Sequence, residues 1–428
     1  MRADRYVLLG LAPARQSWFT TVAHWSHTGT IAADFLKCQS AEEVRARLAS
    51  EQVFSALLVD MVSSGLDRDL VDLARRSGCA VLLVGEARGR LDWRQLGADA
   101  LLDPALERAD LLEALARHAV TVGDPTLVSA STRRESGACA GSGTVVAVCG
   151  PGGTGASTVA AALAQGLARA GDRRVLLADL CLHAEQAMLH DAGDLGPSVQ
   201  ELVEAHRIAT ITTDDARRLA HTVPSRGYDL LVGLRRSRGW AALRPRAFEA
   251  SFQTLRATWD IVVADTDADV EGEADGGSAD VEERNVMART ALGEAQAVVV
   301  VGASGLKGLH ALLRTAAELI AFGVAPARIV PVVNRLGRGR RHTVHPLRAL
   351  ADLLPSAITT PAIGISERRV ESAFIDGTML PDAVVDPVLA AVGPLLASPH
   401  GQREPTSVAV SVGTLGRWSP DDVGATAS

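Results

Sequence analysis

The chain has 428 residues, 47% of them hydrophobic, which is enough for two domains with separate cores. A formal net charge of −7 argues against a surface drawn as a whole to nucleic acid or anionic lipid. Five cysteines without a C-x-x-C pair, no secretory apolar segment at the start, and apolar runs far too short for a membrane span make a reducing cytoplasm the expected setting. Lysine occurs only at Lys37 and Lys307, so arginine supplies nearly all the positive charge.

Residues 1–120 alternate short apolar runs with helical patterns (YVLLGLA, ALLVDMV, AVLLVGE, DALLDP, then LLEALARHAV), which predicts a parallel sheet with crossover helices. This stretch resembles a response-regulator receiver, with Asp60 at the strand end where a receiver carries its phosphoryl acceptor. The rest of that site departs. RYVLLGLAPAR holds no acidic pair for Mg²⁺, and Asp103 precedes Pro104 where the resemblance expects a lysine. A carboxylate without metal or lysine has little to stabilise a phosphoryl group. The expectation is therefore a pseudo-receiver used for docking, with Asp60 capping a turn. Residues 121–143 are small and polar, as in an interdomain linker.

Residues 144–397 read as a second α/β unit, opening with TVVAVCGPGGTGASTVAAALAQGLARAG: a strand, a glycine-rich turn and a small-residue helix. Residues 150–157 fit the phosphate-loop pattern G-x-x-x-x-G-K-[ST] except at Ala156, which stands in the lysine position. Gly150, Gly152, Gly153, Thr154, Gly155, Ala156, Ser157 and Thr158 are thus candidate nucleotide-binding residues. The glycines let successive N–H groups converge on an anion, and the helix N-terminus adds its positive end. A hydroxyl for Mg²⁺ remains at Ser157, or at Thr158. The missing ammonium would have met the β- and γ-phosphates, so nucleotide binding without fast hydrolysis is expected.

Further along, RRVLLADLCLHAEQAML ends an apolar strand at Asp179, a candidate catalytic carboxylate near the attacking water or the Mg²⁺ shell. TWDIVVADTDAD delivers Asp265 in the Walker B manner, a buried strand carrying a carboxylate to the metal. Residues 268–284 are acidic and glycine-containing and read as a loop, with Asp267 or Asp269 able to approach the metal. EAQAVVVVGASGLKGLHALLRTAAELIAFG gives a strand, a loop and an amphipathic helix, and RIVPVVNRLGR ends a strand at Asn334. The Asn334 amide matches the edge groups of adenine, or forms a turn, with Arg335 beside it. Arg335, Arg338, Arg340, Arg341 and Arg348, with His342 and His345, form the strongest basic cluster. It reads as a solvated loop or as arginines reaching phosphates, with contact to DNA phosphates the less favoured use. His183, Glu185, His190 and Asp191 match no zinc spacing and read as solvated polar residues. Residues 398–428 read as a disordered tail without a basic amphipathic pattern.

In order, GGTGAST, ADL at Asp179, VVADT at Asp265 and VVNR at Asn334, preceded by the receiver-like unit, resemble the MinD/ParA group of deviant P-loop ATPases. Within it they are most similar to the CpaE (TadZ)-type proteins of actinobacteria, described as septum-site-determining or Ssd-like. The resemblance implies an α/β chain: an N-terminal receiver-like (flavodoxin-like) domain, then a P-loop NTPase domain with a mostly parallel sheet and helices on both faces. It implies ATP and Mg²⁺ as cofactors, a homodimer, and protein partners in a polar, septal or Flp/Tad pilus-secretion machine. Recruitment would run through those partners, with no direct membrane insertion. The departures are specific. The group's signature lysine aligns with Pro151, the loop lysine with Ala156, and the second carboxylate of D-x-D with Cys181. Loss of one preorganised donor lowers a rate by about 10²–10³, so at most weak hydrolysis is expected. The alternatives are a slow partner-stimulated ATPase, a nucleotide-free scaffold, or a DNA-binding partition-type protein.

Overall fold

Strands that are apolar throughout need cover on both faces, and this chain builds two sheets that meet that need. The computed structural model describes residues 5–13, 16–50, 52–86, 93–122, 143–192, 196–209, 211–273, 278–337 and 339–397. The first sheet contains β1 (Tyr6–Leu11), β2 (Ala33–Cys38), β3 (Ala56–Asp60), β4 (Ala80–Val84) and β5 (Ala100–Leu102). All its pairings are parallel, in the order β2-β1-β3-β4-β5, a doubly wound arrangement. Helices α1 (Ser17–His27), α2 (Ala41–Leu48) and α3 (Arg68–Arg76) connect its first four strands, and α4 (Arg108–His118) follows β5. Leu57 and Leu70 pack in the core on one face, Trp18, Leu58 and Leu111 on the other. Asp67 starts α3, its side chain accepting from the Leu70 N–H. Strand β2, absent from the apolar runs of the sequence, lies at the sheet edge and carries polar Asp34 and Lys37.

The second sheet holds eight strands: β6 (Thr144–Cys149), β7 (Val175–Leu180), β8 (His221–Val223), β9 (Tyr228–Leu231), β10 (Ile261–Thr266), β11 (Ala297–Ala303), β12 (Ile329–Leu336) and β13 (Ile363–Ser366). Their order is β13-β12-β11-β6-β10-β7-β9-β8, parallel except for β8 against β9. One face is covered by α5 (Ala156–Arg169), the short α6 (Gln186–Leu189), and two helices from the end of the unit. The other is covered by α7 (Val199–Ile208), α8 (Thr213–Arg218), α9 (Pro245–Thr258) and the helices that follow. After α10 (Ala279–Arg284), which packs beside the next helix, those are α11 (Val286–Glu294), α12 (Leu306–Phe322) and α13 (Arg340–Leu353), before α14 (Glu371–Ile375) and α15 (Asp382–Ala397) return to the α5 side. The chain is thus an α/β protein whose larger sheet is mostly parallel, with helices on both faces.

Helix α5 sits at the centre because its residues are small. Ala160, Ala161, Ala162 and Ala164 are fully buried, and a β-carbon at Gly166 would come within 2.9 Å of Val385 on α15. This close seat fixes the start of α5, and with it the glycine loop, against the sheet.

Helix α3 of the first unit packs on α7 and α9 of the second. Arg246 Nε donates to Asp72 Oδ2 at 3.0 Å, the Arg246 N–H donates to Asp69 Oδ1 at 3.1 Å, and Arg68 Nε donates to the His206 carbonyl at 2.9 Å. Most of the expected linker and all of the expected tail lie outside the described residues. The acidic stretch read as a loop includes a helix, α10, and Asp269 is tied down by Arg284 at 2.6 Å and by the Asn285 amide.

Candidate functional site

The glycine loop begins where β6 ends. Gly150 packs so tightly under β11 that a side chain there would collide with the Val301 carbonyl oxygen. Gly153 and Gly155 adopt φ of 78° and 84°, the left-handed region that glycine enters without strain. Around Gly152 and Gly153 no heavy atom lies within 4 Å of where a β-carbon would stand, so the loop presents open backbone. Thr154 closes the turn, its N–H and Oγ1 both directed to the Pro151 carbonyl at 3.3 and 2.8 Å.

The donors that remain are the useful ones. Among the described residues, no backbone carbonyl accepts from the N–H groups of Gly153, Gly155, Ala156, Ser157 or Thr158. Half-buried Ala156 contributes only a methyl group. A helix N-terminus with free N–H groups behind open glycines has the chemistry of an anion site, and a polyphosphate fits it.

Behind the loop, Asp265 on β10 stands in register with Asp179 on β7 and Val148 on β6. Both carboxylates are buried, at 1% and 0% exposure. Asp179 accepts from the Gln186 N–H at 2.9 Å and from the Cys181 N–H at 3.3 Å. Asp265 accepts at Oδ2 from Gln186 Nε2 at 2.7 Å, while its Oδ1 has no partner. The same Nε2 donates to the Ser157 carbonyl at 2.9 Å, so Gln186 ties both carboxylates to the first turn of α5. Burial, and then the Asp265 charge, pushes the Asp179 carboxyl above the usual carboxylate range. Burial raises Asp265 as well, opposed first by the Gln186 amide. Burial and the charges of Asp265 and Asp179 likewise push the Cys181 thiol up.

Buried Asn334, near the end of β12, flanks the loop. Its Nδ2 donates to the Thr154 carbonyl at 2.9 Å and its Oδ1 accepts from the Arg335 N–H at 2.8 Å. It therefore braces the loop directly. Arg335 follows with φ 55°, its side chain exposed and its carbonyl accepting from Ser304 Oγ at 2.9 Å. The structure thus brings Gly150–Thr158, Asp265, Asp179 and Asn334 together at one end of the larger sheet. In the basic cluster, Arg338 and the side chains of residues 340–343 lie outside the described residues. Asp267 is occupied as an acceptor for the Leu182 N–H at 2.7 Å.

Gln186 is the residue that sequence reasoning missed. It follows β7 in an undistinguished polar stretch, and nothing local marks it as the link between three elements. His190, read as solvated, is instead packed: Nε2 pairs with the Tyr228 hydroxyl at 2.7 Å and Nδ1 with the Gln186 carbonyl at 2.8 Å. Burial pushes its pKa down to about 4. In the first unit, Asp60 accepts from Trp18 Nε1 at 2.6 Å and from the Val62 N–H at 3.0 Å, the turn-capping geometry. It borders a cleft of about 640 Å³ that also touches Gly85, Pro104 and Arg207. Asp103 accepts from the Ala105 N–H at 2.7 Å.

Among the described residues, no helix is long and apolar enough to cross a membrane. No protein-family model matches the chain, and no curated protein does. Solved structures do show likeness. A ParA family ATPase from Chlorobium tepidum TLS aligns with 60% of this chain and 99% of its own, at 15% identity and TM-score 0.45. The septum site-determining protein MinD from Pyrococcus horikoshii OT3, complexed with Mg-ADP, aligns with 59% and 95%, at 19% identity and TM-score 0.44. A Cyanothece McdA variant in complex with ATP aligns with 61% and 99%, at 15% identity and TM-score 0.43. The solved structures this chain is similar to thus include a ParA family ATPase and a septum site-determining protein MinD.

Proposed function

We propose that the chain binds ATP with Mg²⁺ on residues 150–158 and uses the bound state to help position a cellular machine. The observation that carries this reading is the set of unpaired N–H groups at Gly153, Gly155, Ala156, Ser157 and Thr158 beside open glycine backbone. When bound, Mg²⁺ offsets the triphosphate charge, and the Ser157 hydroxyl and Asp265 are the groups that would hold it. Asn334 keeps the loop in shape, and exposed Arg335 offers a guanidinium at the same edge.

Hydrolysis is the weak part of the cycle. Pro151 and Ala156 supply no ammonium, and Asp179 is fully buried with its oxygens already accepting from two backbone N–H groups. Each missing transition-state donor lowers the rate by about 10²–10³. Nucleotide then serves as a state marker that shifts a population of conformers, in a homodimer formed by the unit of residues 144–397. The finer assignment is a regulator of the CpaE/TadZ or Ssd type, acting on a septum or a Flp/Tad pilus-secretion machine. The unit of residues 1–120 would be a receiver-like docking module, a reading supported by the engagement of Asp60 with Trp18 and Val62.

The test is cellular. A fluorescently tagged chain should gather at septum or pole, and Gly155→Val at equal abundance should be diffuse. A variant that localises like the wild type would sink the nucleotide-dependent reading.

A further inference from the structure

Asp179, Cys181 and Asp265 converge at the ends of β7 and β10, and one ligand atom from each lies within 4.8 Å of the other two. All three residues are buried. Oxygen and sulfur ligands on one tetrahedral Zn²⁺-sized ion stand about 3.5 Å apart, so a shift of roughly an ångström would close the set. Among the described residues, no lysine, arginine or histidine forms an ion pair with Asp179 or Asp265. Two buried carboxylates beside a thiol are a costly arrangement when no positive charge faces them.

A separate observation comes from Gln186, which is fully buried. Its N–H and Nε2 bind Asp179 and Asp265, yet its Oε1 has no donor, and neither has Asp265 Oδ1. Two buried oxygens are thus left unpaired, one on Asp265 and one on the side chain that binds it. We propose that Asp179, Cys181 and Asp265 form a site for one divalent transition metal ion of borderline softness, of the Zn²⁺ type. The thiolate distinguishes it from a Mg²⁺ site, since Mg²⁺ takes oxygen ligands in octahedral array and Zn²⁺ accepts sulfur and oxygen at four positions. The fourth position is left to water or to Gln186 Oε1. The ion would clamp β7 to β10, and Gln186 would pass that constraint to Ser157 at the head of α5. The ion would fill the site in the nucleotide-free chain, since Asp265 cannot serve it and the Mg²⁺ of a bound nucleotide at once.

The experiment uses the full nucleotide-free chain in a Cys139→Ser background, loaded with Zn²⁺ and dialysed. Retained metal of one ion per chain is expected, with X-ray absorption showing one sulfur ligand among oxygen ligands. Cys181→Ser should lose that sulfur and weaken zinc at least ~100-fold, while Cys149→Ser should change neither. Loss of all zinc on dialysis, a shell without sulfur, or a sulfur ligand that survives in Cys181→Ser would each overturn the proposal. The absorption spectrum of the wild-type side chains decides the matter even if Cys181→Ser does not fold. Failure here leaves nucleotide binding untouched, because that is measured separately with Mg²⁺.

Discussion

Asp179 and Asp265 stand directly opposite each other on adjacent parallel strands, and the Gln186 amide and N–H bind one oxygen of each. Neighbouring strands run about 4.8 Å apart, so two carboxylates in register on one face are held close whatever their charge. Gln186→Leu keeps the volume but removes the donor to Asp265 and to the Ser157 carbonyl. Hydrogen bonds to charged groups contribute about 1.5–3 kcal/mol, and a loss of that order in urea unfolding is expected. A loss below about 0.5 kcal/mol would mean that Gln186 does not hold the site.

The loop glycines should separate by position. Gly150→Ala forces a β-carbon against the Val301 carbonyl and is expected to destabilise the chain by about 1–3 kcal/mol. Gly152→Ala points into open space and should change stability by less than about 0.5 kcal/mol. Thermal unfolding of the two variants checks the contrast, and equal losses would contradict the loop geometry.

Asn334→Ala removes the donor to the Thr154 carbonyl and leaves that buried oxygen unpaired. A cost of about 1–3 kcal/mol is expected, together with faster backbone hydrogen exchange at Thr154, whose N–H is bonded within the turn. Unchanged exchange would show that β12 does not brace the loop.

Much of this arrangement was legible in the sequence, and the exceptions have physical causes. IVVADT and VLLADL announce buried parallel strands because both faces are apolar, so Asp179 and Asp265 at their ends could be read directly. The glycine loop was legible because only glycine suits its left-handed positions. Strand β2 was missed because an edge strand needs little apolar content, and ADFLKC alternates weakly. Gln186 and the Asn334–Thr154 bond were invisible for another reason: each joins groups far apart in sequence, and only the sheet order brings them together. His190 misled because its partner, Tyr228, lies on a later strand.

The contact between the two units should weaken in acid. His206 on α7 is 1% exposed, neither ring nitrogen has a partner, and burial, then the Arg68 charge, pushes its pKa down to about 4. The unfolded ring takes a proton near 6.5 and the folded one resists it. Stability is therefore complete above about pH 6.5 and is lost as pH falls towards 4, with a full effect on the order of 3 kcal/mol. His206→Leu should flatten that segment of a stability-versus-pH curve measured from pH 7 to 4. An unchanged slope would rule out His206 as its source.

The central claim is that the loop of residues 150–158 is a nucleotide site despite Ala156. Calorimetric titration of the full chain with ATP and Mg²⁺, beside Gly155→Val, tests it most directly. A valine there must adopt φ near 84° with its β-carbon 2.6 Å from Asn334 Nδ2, so it should deform the cradle. Micromolar binding by the wild type that disappears in the variant is the predicted result. No heat of binding by the wild type up to millimolar ATP would contradict the account and leave the loop as a structural turn.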